Sequence, residues 1–548
     1  MPSKLLAFKR NLLCLGAALL FTAVPGSLRA QATLGKIDFP VTGSPQDQQC
    51  FIRGVLALHS FWFEEAADQF RECTKADPGF MMGYWGEAMT YNHPLWAQQD
   101  AESARKVLAK ITDTSKLTAR ERAYIDAVRV LYGQGDKLSR DIAYSKAMEK
   151  IHSEYPKDDE AACFYALSLL GTVRPGDKGF VRQMRAGAIA LDVFQRNPDH
   201  PGAAHYVIHS FDDPEHAILA LPAARRYAEI APAAPHARHM PSHIFLQLGM
   251  WPQVTSSNLS AWQASVDWVE HKGLAISMRD YHSLYWRFYS ELQQGQYSKA
   301  RELMEMQRQD MAATNGKASQ YVAQMGATYL IETQQWDLAG KIFSMVGLNY
   351  MVHQTSGGSS AEHMSHRYGG SDSLVAFAKG YAAAATGSSE VASNISALQE
   401  VEKGIANSEM GYRAKQIEIQ RLELEALAAS KKGDSEKAIE TMKKAIALEE
   451  TNSPPSGPPE LIKPPHELFG EILLTAGRAD EAAKMFAVSL SREPNRARSL
   501  IGTARALAAK GDAKGASEAY AEFMKIWSKA DSGLPELEEA RKTVRRAD

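Results

Sequence analysis

A period of about 34 residues recurs along this chain and constrains its fold more than any other feature. A period of that length is one helix-turn-helix unit, which cannot bury its apolar face alone and must stack on further units. Near the C-terminus, a small residue, an alanine and an aromatic residue return at this interval. The positions are Gly477, Ala482 and Phe486 in one unit and Gly511, Ala516 and Tyr520 in the next.

Histidines repeat at the same interval in the middle of the chain. His205 and His209 are separated by one helical turn, and His239 and His243 follow them exactly one period later. Residues at positions i and i+4 lie on one face of a helix. Two successive units are therefore predicted to present the same pair of histidines on equivalent faces.

The residue types within each unit match what packed helix pairs need. Small residues let two helices touch, an aromatic residue fills the gap between units, and proline ends the second helix. The first unit shows this pattern with Gly54, Ala66, Phe70 and Pro78. Strand signals are nearly absent. We therefore predict an all-α superhelix, an α-solenoid of about ten units, several of them degenerate.

At these residues the chain resembles the tetratricopeptide repeat (TPR) family, over most of residues 46–530. The segments HSFWFEEA, NHPLW, HARHMPSHIF and KPPHELFGEILL are also similar to those of exported bacterial TPR-repeat proteins of unassigned activity. The resemblance implies a concave groove lined by the first helix of each unit. It implies a fold and a compartment, but no reaction.

The family geometry implies that a set of histidines and aspartates lines this groove. His59 and His93, which are also one period apart, belong to the set. The predicted groove residues are His59, His93, His205, His209, Asp212, Asp213, His236, His239, His243 and His282.

Part of this set has the composition of a metal site. Packed helices run about 8–10 Å apart, so imidazoles from neighbouring units can meet around one ion at about 2.0–2.1 Å. Nitrogen ligands with carboxylates nearby suit Zn, Cu, Fe or Ni. Pro241 either kinks the helix between the second pair of histidines or starts it. The candidate metal ligands are His205, His209, His239, His243 and Asp212.

Two classes of function remain open. The first is a scaffold whose groove holds a peptide, a protein partner or a small ligand. The alternative is a metalloprotein, or a metal-dependent enzyme, built on the two central repeats. A further hypothesis is that neutral imidazoles bind an anionic ligand or act in acid–base catalysis without a metal. The sequence contains no P-loop, GxSxG, HExxH or CxxCH motif, so no catalytic residue is assigned. A net charge of −2 without a basic face argues against nucleic-acid binding.

Residues 1–32 are predicted to be a signal peptide. Lys4, Lys9 and Arg10 precede a short apolar run over residues 11–24, and small residues suitable for cleavage follow. The run is too short for a comfortable membrane span, and no later segment is apolar enough for one. We therefore expect an exported protein, either periplasmic or secreted.

The mature chain divides into repeat regions separated by insertions. The Gly/Ser/His-rich stretch is predicted to be a long loop, and the Pro-rich stretch a stiff insert. The predicted regions are an N-terminal array over residues 33–270 with the histidine-rich repeats at 201–268, central repeats at 281–353, the loop at 349–372, and C-terminal repeats at 373–548 with the insert at 453–465.

Three cysteines follow the signal peptide, so at least one is unpaired within the chain. Cys73 falls at a small-residue core position of the first unit, which favours a buried thiol. We therefore expect no disulfide framework among Cys50, Cys73 and Cys163.

Overall fold

The structure, a computed structural model, describes residues 33–345, 370–405, 411–452 and 454–547, apart from residues 175, 176, 178 and 320. Successive α-helices pack on their neighbours in sequence, which confirms the predicted all-α class. The predicted signal peptide and residues 349–369 of the predicted loop lie outside the described residues. Gly370, which was assigned to that loop, begins a helix.

The helices of the N-terminal half include both histidine-bearing repeats. They are α1 (Pro45–His59), α2 (Phe63–Ala76), α3 (Met81–Met89), α4 (Ala101–Leu108), α5 (Ala119–Leu131), α6 (Lys137–Glu154), α7 (Asp159–Gly171), α8 (Val181–Arg196), α9 (Pro201–Ser210), α10 (Ala217–Ile230), α11 (Pro235–His239), α12 (Pro241–Gln247) and α13 (Trp251–Lys272).

The second half continues the pattern of helix pairs. Its helices are α14 (Tyr281–Gln293), α15 (Tyr297–Ala313), α16 (Val322–Thr333), α17 (Ala339–Met345), α18 (Gly370–Thr386), α19 (Val391–Ile405), α20 (Gly411–Lys431), α21 (Ser435–Glu449), α22 (Pro465–Thr475), α23 (Ala479–Arg492), α24 (Ala497–Ala509), α25 (Ala513–Ile526) and α26 (Pro535–Ala547).

Strand structure is confined, within the described part of the chain, to one short antiparallel pair. It consists of β1 (Asn92–His93) and β2 (Gln98–Gln99), on either side of a 3-10 turn at Pro94–Trp96. Across the same described residues, no helix has the length and apolar character needed to cross a bilayer.

The first repeat shows why small and aromatic residues alternate between packed helices. α1 begins with a capping box in which Ser44 and Asp47 satisfy each other's backbone donors. A Cβ atom added to Gly54 would lie 2.6 Å from the ring of Phe70. The aromatic ring therefore fits against α1 only because that position has no side chain.

A disulfide bond between Cys50 and Cys73 joins α1 to α2. The expectation of a buried Cys73 thiol was therefore wrong. The small-residue position of Cys73 brings it against the facing helix, where a second cysteine completes the bond. Cys163 remains a buried free thiol.

The C-terminal repeats fold back onto the central ones. The indole N–H of Trp251 donates to the carbonyl of Asn495 at 2.8 Å. The guanidinium of Arg496, whose side chain is fully buried, pairs with the Glu332 carboxylate at 2.7 Å. It also donates to the Tyr289 hydroxyl at 2.8 Å. These contacts join segments that are far apart in the sequence, and they close the array beside the histidine-bearing repeats.

Candidate metal centre

Six histidines from three consecutive helix pairs meet between the central repeats. α9 carries two, α11 and α12 carry three, and α14 carries one. They form two groups whose ligand atoms lie within 4.8 Å of one another, with His205, His209 and His236 in the first triad and His239, His243 and His282 in the second triad.

The first triad converges on the Nε2 atom of His205. Its Nδ1 donates to the carbonyl oxygen of His59 at 2.7 Å, so its Nε2 carries a lone pair. The Nε2 of His209 lies 3.0 Å from that atom, and the Nε2 of His236 lies 3.2 Å from it. One in-plane lone pair cannot satisfy two donors at once. A single cation between the three nitrogens would satisfy all of them.

The second triad has two histidines whose tautomers are fixed from outside. His239 donates from Nδ1 to Oδ1 of Asn258 at 2.6 Å, and the Asn258 amide N–H group donates to the carbonyl of Val254. His243 donates from Nδ1 to the Asp212 carboxylate at 2.6 Å. In the neutral form of each ring the Nε2 atom therefore presents a lone pair, and the two Nε2 atoms face each other at 3.1 Å.

The sixth histidine completes this second group. His282 stands at the start of α14, which is capped by the Asp280 side chain. Its ring centroid lies 4.7 Å from that of His239. The Nδ1 of His282 lies 2.9 Å from the hydroxyl of Tyr321. That contact anchors the ring from the outer side, as the acceptors of Nδ1 do for the other two histidines.

Pro241 divides the repeat that carries three of the six histidines. α11 ends at His239, α12 begins at Pro241, and Met240 between them keeps right-handed helical angles. The backbone N–H of His243 still donates to the carbonyl of Met240 at 3.1 Å. The helix is therefore kinked rather than restarted, and His239 remains on a helical turn.

Five of the six histidines are held neutral by their surroundings. Burial is the main cause, and it lowers the pKa of His205, His239 and His282 to about 3 each. Burial, with repulsion from the neighbouring imidazoles, also lowers the pKa of His209 and His236 well below the usual range. A histidine must be neutral to ligate a metal, so these rings are already in the required protonation state.

Aromatic rings bound the two triads on opposite sides. The ring of Phe61 lies 4.3 Å, between centroids, from that of His205. The ring of Trp286 lies 4.4 Å from that of His243 and 4.8 Å from that of His239. The His243 side chain keeps an exposed fraction of 13%, so the cluster is partly open to solvent.

The Pro-rich insert covers the second triad from the C-terminal repeats. Gln247 donates to the carbonyl of Pro455 at 2.8 Å and to the Asp212 carboxylate at 3.3 Å. A Cβ atom added to Gly457 would lie 2.6 Å from the indole of Trp286. The insert therefore touches Gln247, which lies beside Asp212. It also touches Trp286, which packs on His243.

A third group, formed by His59, Glu160 and His200, is fully buried beneath the first triad. Here each nitrogen has a suitable partner. The Glu160 carboxylate accepts from His59 at 2.5 Å and from His200 at 3.1 Å. The remaining nitrogens pair with the Tyr206 hydroxyl and the Ala203 backbone N–H. Burial by itself raises the pKa of Glu160. The interactions with the two imidazoles outweigh burial and lower this pKa to about 2. We interpret this group as a buried hydrogen-bond network, not a metal site.

Three predicted groove residues belong to neither triad. The ring of His59 is buried and contacts Glu160 and Tyr206, so it lies in the core and not in the groove. The Asp213 carboxylate accepts from His216 Nδ1 at 2.9 Å in the turn after α9, immediately beyond the carboxylate that reaches the cluster. His93 stacks on Phe63 at a centroid distance of 4.0 Å.

Sequence reasoning placed His236 and His282 in the groove but did not include them among the metal candidates. It missed Asn258 on α13, which holds His239, Gln247 at the end of α12, which donates to Asp212, and Trp286, which packs on the cluster. His236 and His282 each occupy the second position of their helices. That shared register was the signal that could have added them to the metal candidates.

The arrangement has the donors of a transition-metal centre. Three neutral imidazoles are the protein ligands of zinc sites that keep an open fourth position. Imidazole also suits copper, iron and nickel, whereas calcium and magnesium require oxygen. Each triad could therefore hold one such ion and leave a position for water or another small ligand.

Residues 404–452 match the model of the family described as tetratricopeptide repeat. The chain contains a tetratricopeptide repeat. The matched residues include α20 and α21, and Gly433, with φ of +83°, makes the turn between them. Repeats of this type form stacked scaffolds with extended binding surfaces. The match supports the coarse function of a protein-interaction scaffold.

Three solved structures show low similarity to this chain. The human IFIT1 dimer with m7Gppp-AAAA has 12% identity and a TM-score of 0.37, over 86% of this chain and 94% of that one. Yeast Tom70 has 10% identity and a TM-score of 0.24, over 90% of this chain and 88% of that one. The APC/C hetero-tetramer Cut9–Hcn1 has 12% identity and a TM-score of 0.34, over 92% of this chain and 76% of that one. Among curated proteins, no sequence matches this chain.

Proposed function

We propose that this chain is a metal-binding repeat protein that holds transition-metal ions in the two histidine triads. The observation that carries the proposal is the pair of Nε2 atoms of His239 and His243, which face each other at 3.1 Å. Both rings donate their Nδ1 protons elsewhere, so in their neutral forms both Nε2 atoms present lone pairs. Two lone pairs at that distance repel unless a cation lies between them.

A proton is the other cation that could relieve this repulsion. Burial opposes it, because the pKa of His239 is lowered to about 3. A metal ion relieves the repulsion without placing a proton on the buried ring of His239. Nitrogen ligands around one tetrahedral ion lie about 3.3–3.4 Å apart for metal–nitrogen distances of about 2.0–2.1 Å. Small shifts of the rings would bring the second triad to that spacing.

The first triad supports the proposal through a different set of contacts. Its nitrogens lie 3.0 Å and 3.2 Å from the Nε2 of His205, with no carboxylate among them. The tautomer of His205 is fixed by the backbone carbonyl of His59. Zinc, copper, iron and nickel fit this donor set. Asp212 is assigned to orienting His243, and not to ligating the ion.

The predicted scaffold function is compatible with this proposal. The tetratricopeptide-repeat match lies in residues 404–452, apart from the central repeats that carry the triads. A protein or peptide partner would be held by the repeat surface, whereas the triads would take ions and small molecules. The pull-down of a partner that survives loss of the metal would support this separation of roles.

We also propose that the protein is exported to the periplasm or secreted. The charged and apolar pattern of residues 1–32 supports export. The Cys50–Cys73 disulfide also supports it, because such bonds persist in oxidising compartments and are rare in the cytosol. Fractionation of producing cells tests this, and a chain retained in the cytosol with its N-terminal segment intact would contradict it.

The metal proposal is tested by elemental analysis of the purified protein. We expect Zn, Cu, Fe or Ni at up to two equivalents per chain, and a loss of about one equivalent in each of His205→Ala and His243→Ala. His271→Ala is the matched control, because this exposed histidine lies in the last turn of α13, outside both triads. Equal trace metal in all four proteins would overturn the proposal.

A further inference from the structure

The two triads touch each other directly. The ring centroids of His209 and His243, one from each triad, are 5.9 Å apart. Those of His236 and His239 are 6.0 Å apart. Rings at these separations pack directly against each other. The triads therefore share a face along two pairs of rings.

The shared face follows from the chain path. His236 and His239 are separated by a single turn of α11, so neighbouring rings of one short helix belong to different triads. Asp212, in the turn after α9, reaches His243 on the following repeat at 2.6 Å. Both triads thus take histidines from the repeat that begins with α11, and Asp212 of the preceding repeat also contacts the second triad.

We propose that the two triads form one dinuclear centre in which a single small ligand bridges both metal ions. This inference rests on the proposed metal binding. Three imidazoles leave at least one open position on each ion. Because the triads share a face, one small molecule with oxygen or nitrogen donors would serve as a ligand to both ions. Hydroxide, azide and other small anions have the required chemistry.

The surroundings limit the size of that ligand. Trp286 packs on two rings of the second triad and is itself covered by Gly457 of the Pro-rich insert. The carbonyl of Pro455 accepts from Gln247 beside Asp212. On the other side, Phe61 packs against the ring of His205. These walls favour a ligand of a few atoms over an extended chain.

Copper(II) is a suitable probe, because a bridged pair of these ions loses its electron paramagnetic resonance signal through spin coupling, whereas isolated ions keep it. The metal-free full chain is loaded with copper(II), and bound copper is counted by elemental analysis beside the integrated spin. We expect two coppers per chain and a spin count well below two. Azide should bind at one equivalent per copper pair.

Variants that empty one triad supply the control. His205→Ala and His243→Ala should each bind one copper that is fully visible by resonance, and His271→Ala should behave as the unmodified chain does. Circular dichroism checks that each variant retains its helices. Two coppers that are both fully visible, each binding its own azide, would overturn the bridged centre alone. Absence of stoichiometric copper would overturn the proposed metal binding as well.

Discussion

The Nδ1 of His243 donates to the Asp212 carboxylate at 2.6 Å, across the boundary between two successive repeats. An aspartate just beyond one histidine pair thus orients a member of the next pair. The carboxylate fixes the tautomer that turns the Nε2 lone pair of His243 toward His239. One repeat therefore supplies the carboxylate that orients a histidine of the next repeat.

Replacing Asp212 by asparagine should weaken metal binding at the second triad by about 10- to 100-fold. The amide is a poorer acceptor for the imidazole and no longer stabilises the charge gained on coordination. Competition against a chelator of known affinity measures the change. Asp213→Asn is the matched control, because Asp213 pairs with His216 in the turn and not with either triad. Equal losses in the two variants would contradict the assigned role.

The metal-free protein should lose stability as the pH falls below about 6.5. Burial lowers the pKa of His205 and His239 to about 3, so the unfolded chain binds protons that the folded chain does not. At pH 5 each histidine should therefore cost about 2 kcal/mol relative to pH 8, and the loss should level off near pH 3.

Urea unfolding of the metal-free chain between pH 4 and pH 8 measures this effect. Carboxylates also contribute in acid, so the informative quantity is the difference between the unmodified chain and His205→Gln. That variant should show a shallower fall in the free energy of unfolding between pH 6.5 and pH 4. Parallel curves for the variant and the unmodified chain would show that His205 is not held neutral by burial.

A methyl group at Gly457 should disturb the second triad from the Pro-rich insert. The added Cβ would meet the Trp286 indole at 2.6 Å, which is too close for an unshifted ring. We expect Gly457→Ala to destabilise the fold by about 1–3 kcal/mol and to weaken metal binding at His243 more than at His205. Gly340→Ala, where nothing lies within 4 Å of the added atom, should leave metal affinity unchanged.

The Cys50–Cys73 disulfide should stabilise the first repeat by about 3 kcal/mol, as expected for a loop of this size. Thermal unfolding of the double variant Cys50→Ser, Cys73→Ser measures that loss. In the chain without residues 1–32, a thiol reagent should find no reactive group when the protein is folded. It should find one, Cys163, after denaturation without reductant. Three reactive thiols under those conditions would contradict the disulfide.

The helical repeat architecture could be predicted from the sequence because its determinants are local. Gly54 and Phe70 belong to the two helices of one unit, and their pairing depends only on the size of the two side chains. The gathering of His205, His209, His239 and His243 was predicted for the same reason. Each pair lies on one helical face, and the period aligns the faces.

Other parts of the site depend on contacts that no spacing encodes. Pro455 reaches Gln247 from a distant part of the sequence because the C-terminal repeats close onto the central ones. His59 and His93 are one period apart, yet the ring of His59 turns into the core, where Glu160 and Tyr206 satisfy it. The period alone cannot distinguish a groove position from a buried one, because burial depends on what packs against the helix.

The most direct test of metal binding is a calorimetric titration of the metal-free chain with zinc. The unmodified protein and His271→Ala should each saturate near two ions per chain, and the double variant His205→Ala, His243→Ala should bind neither ion tightly. An unmodified protein that takes up no more zinc than the double variant would contradict the assignment of the two histidine triads as metal sites.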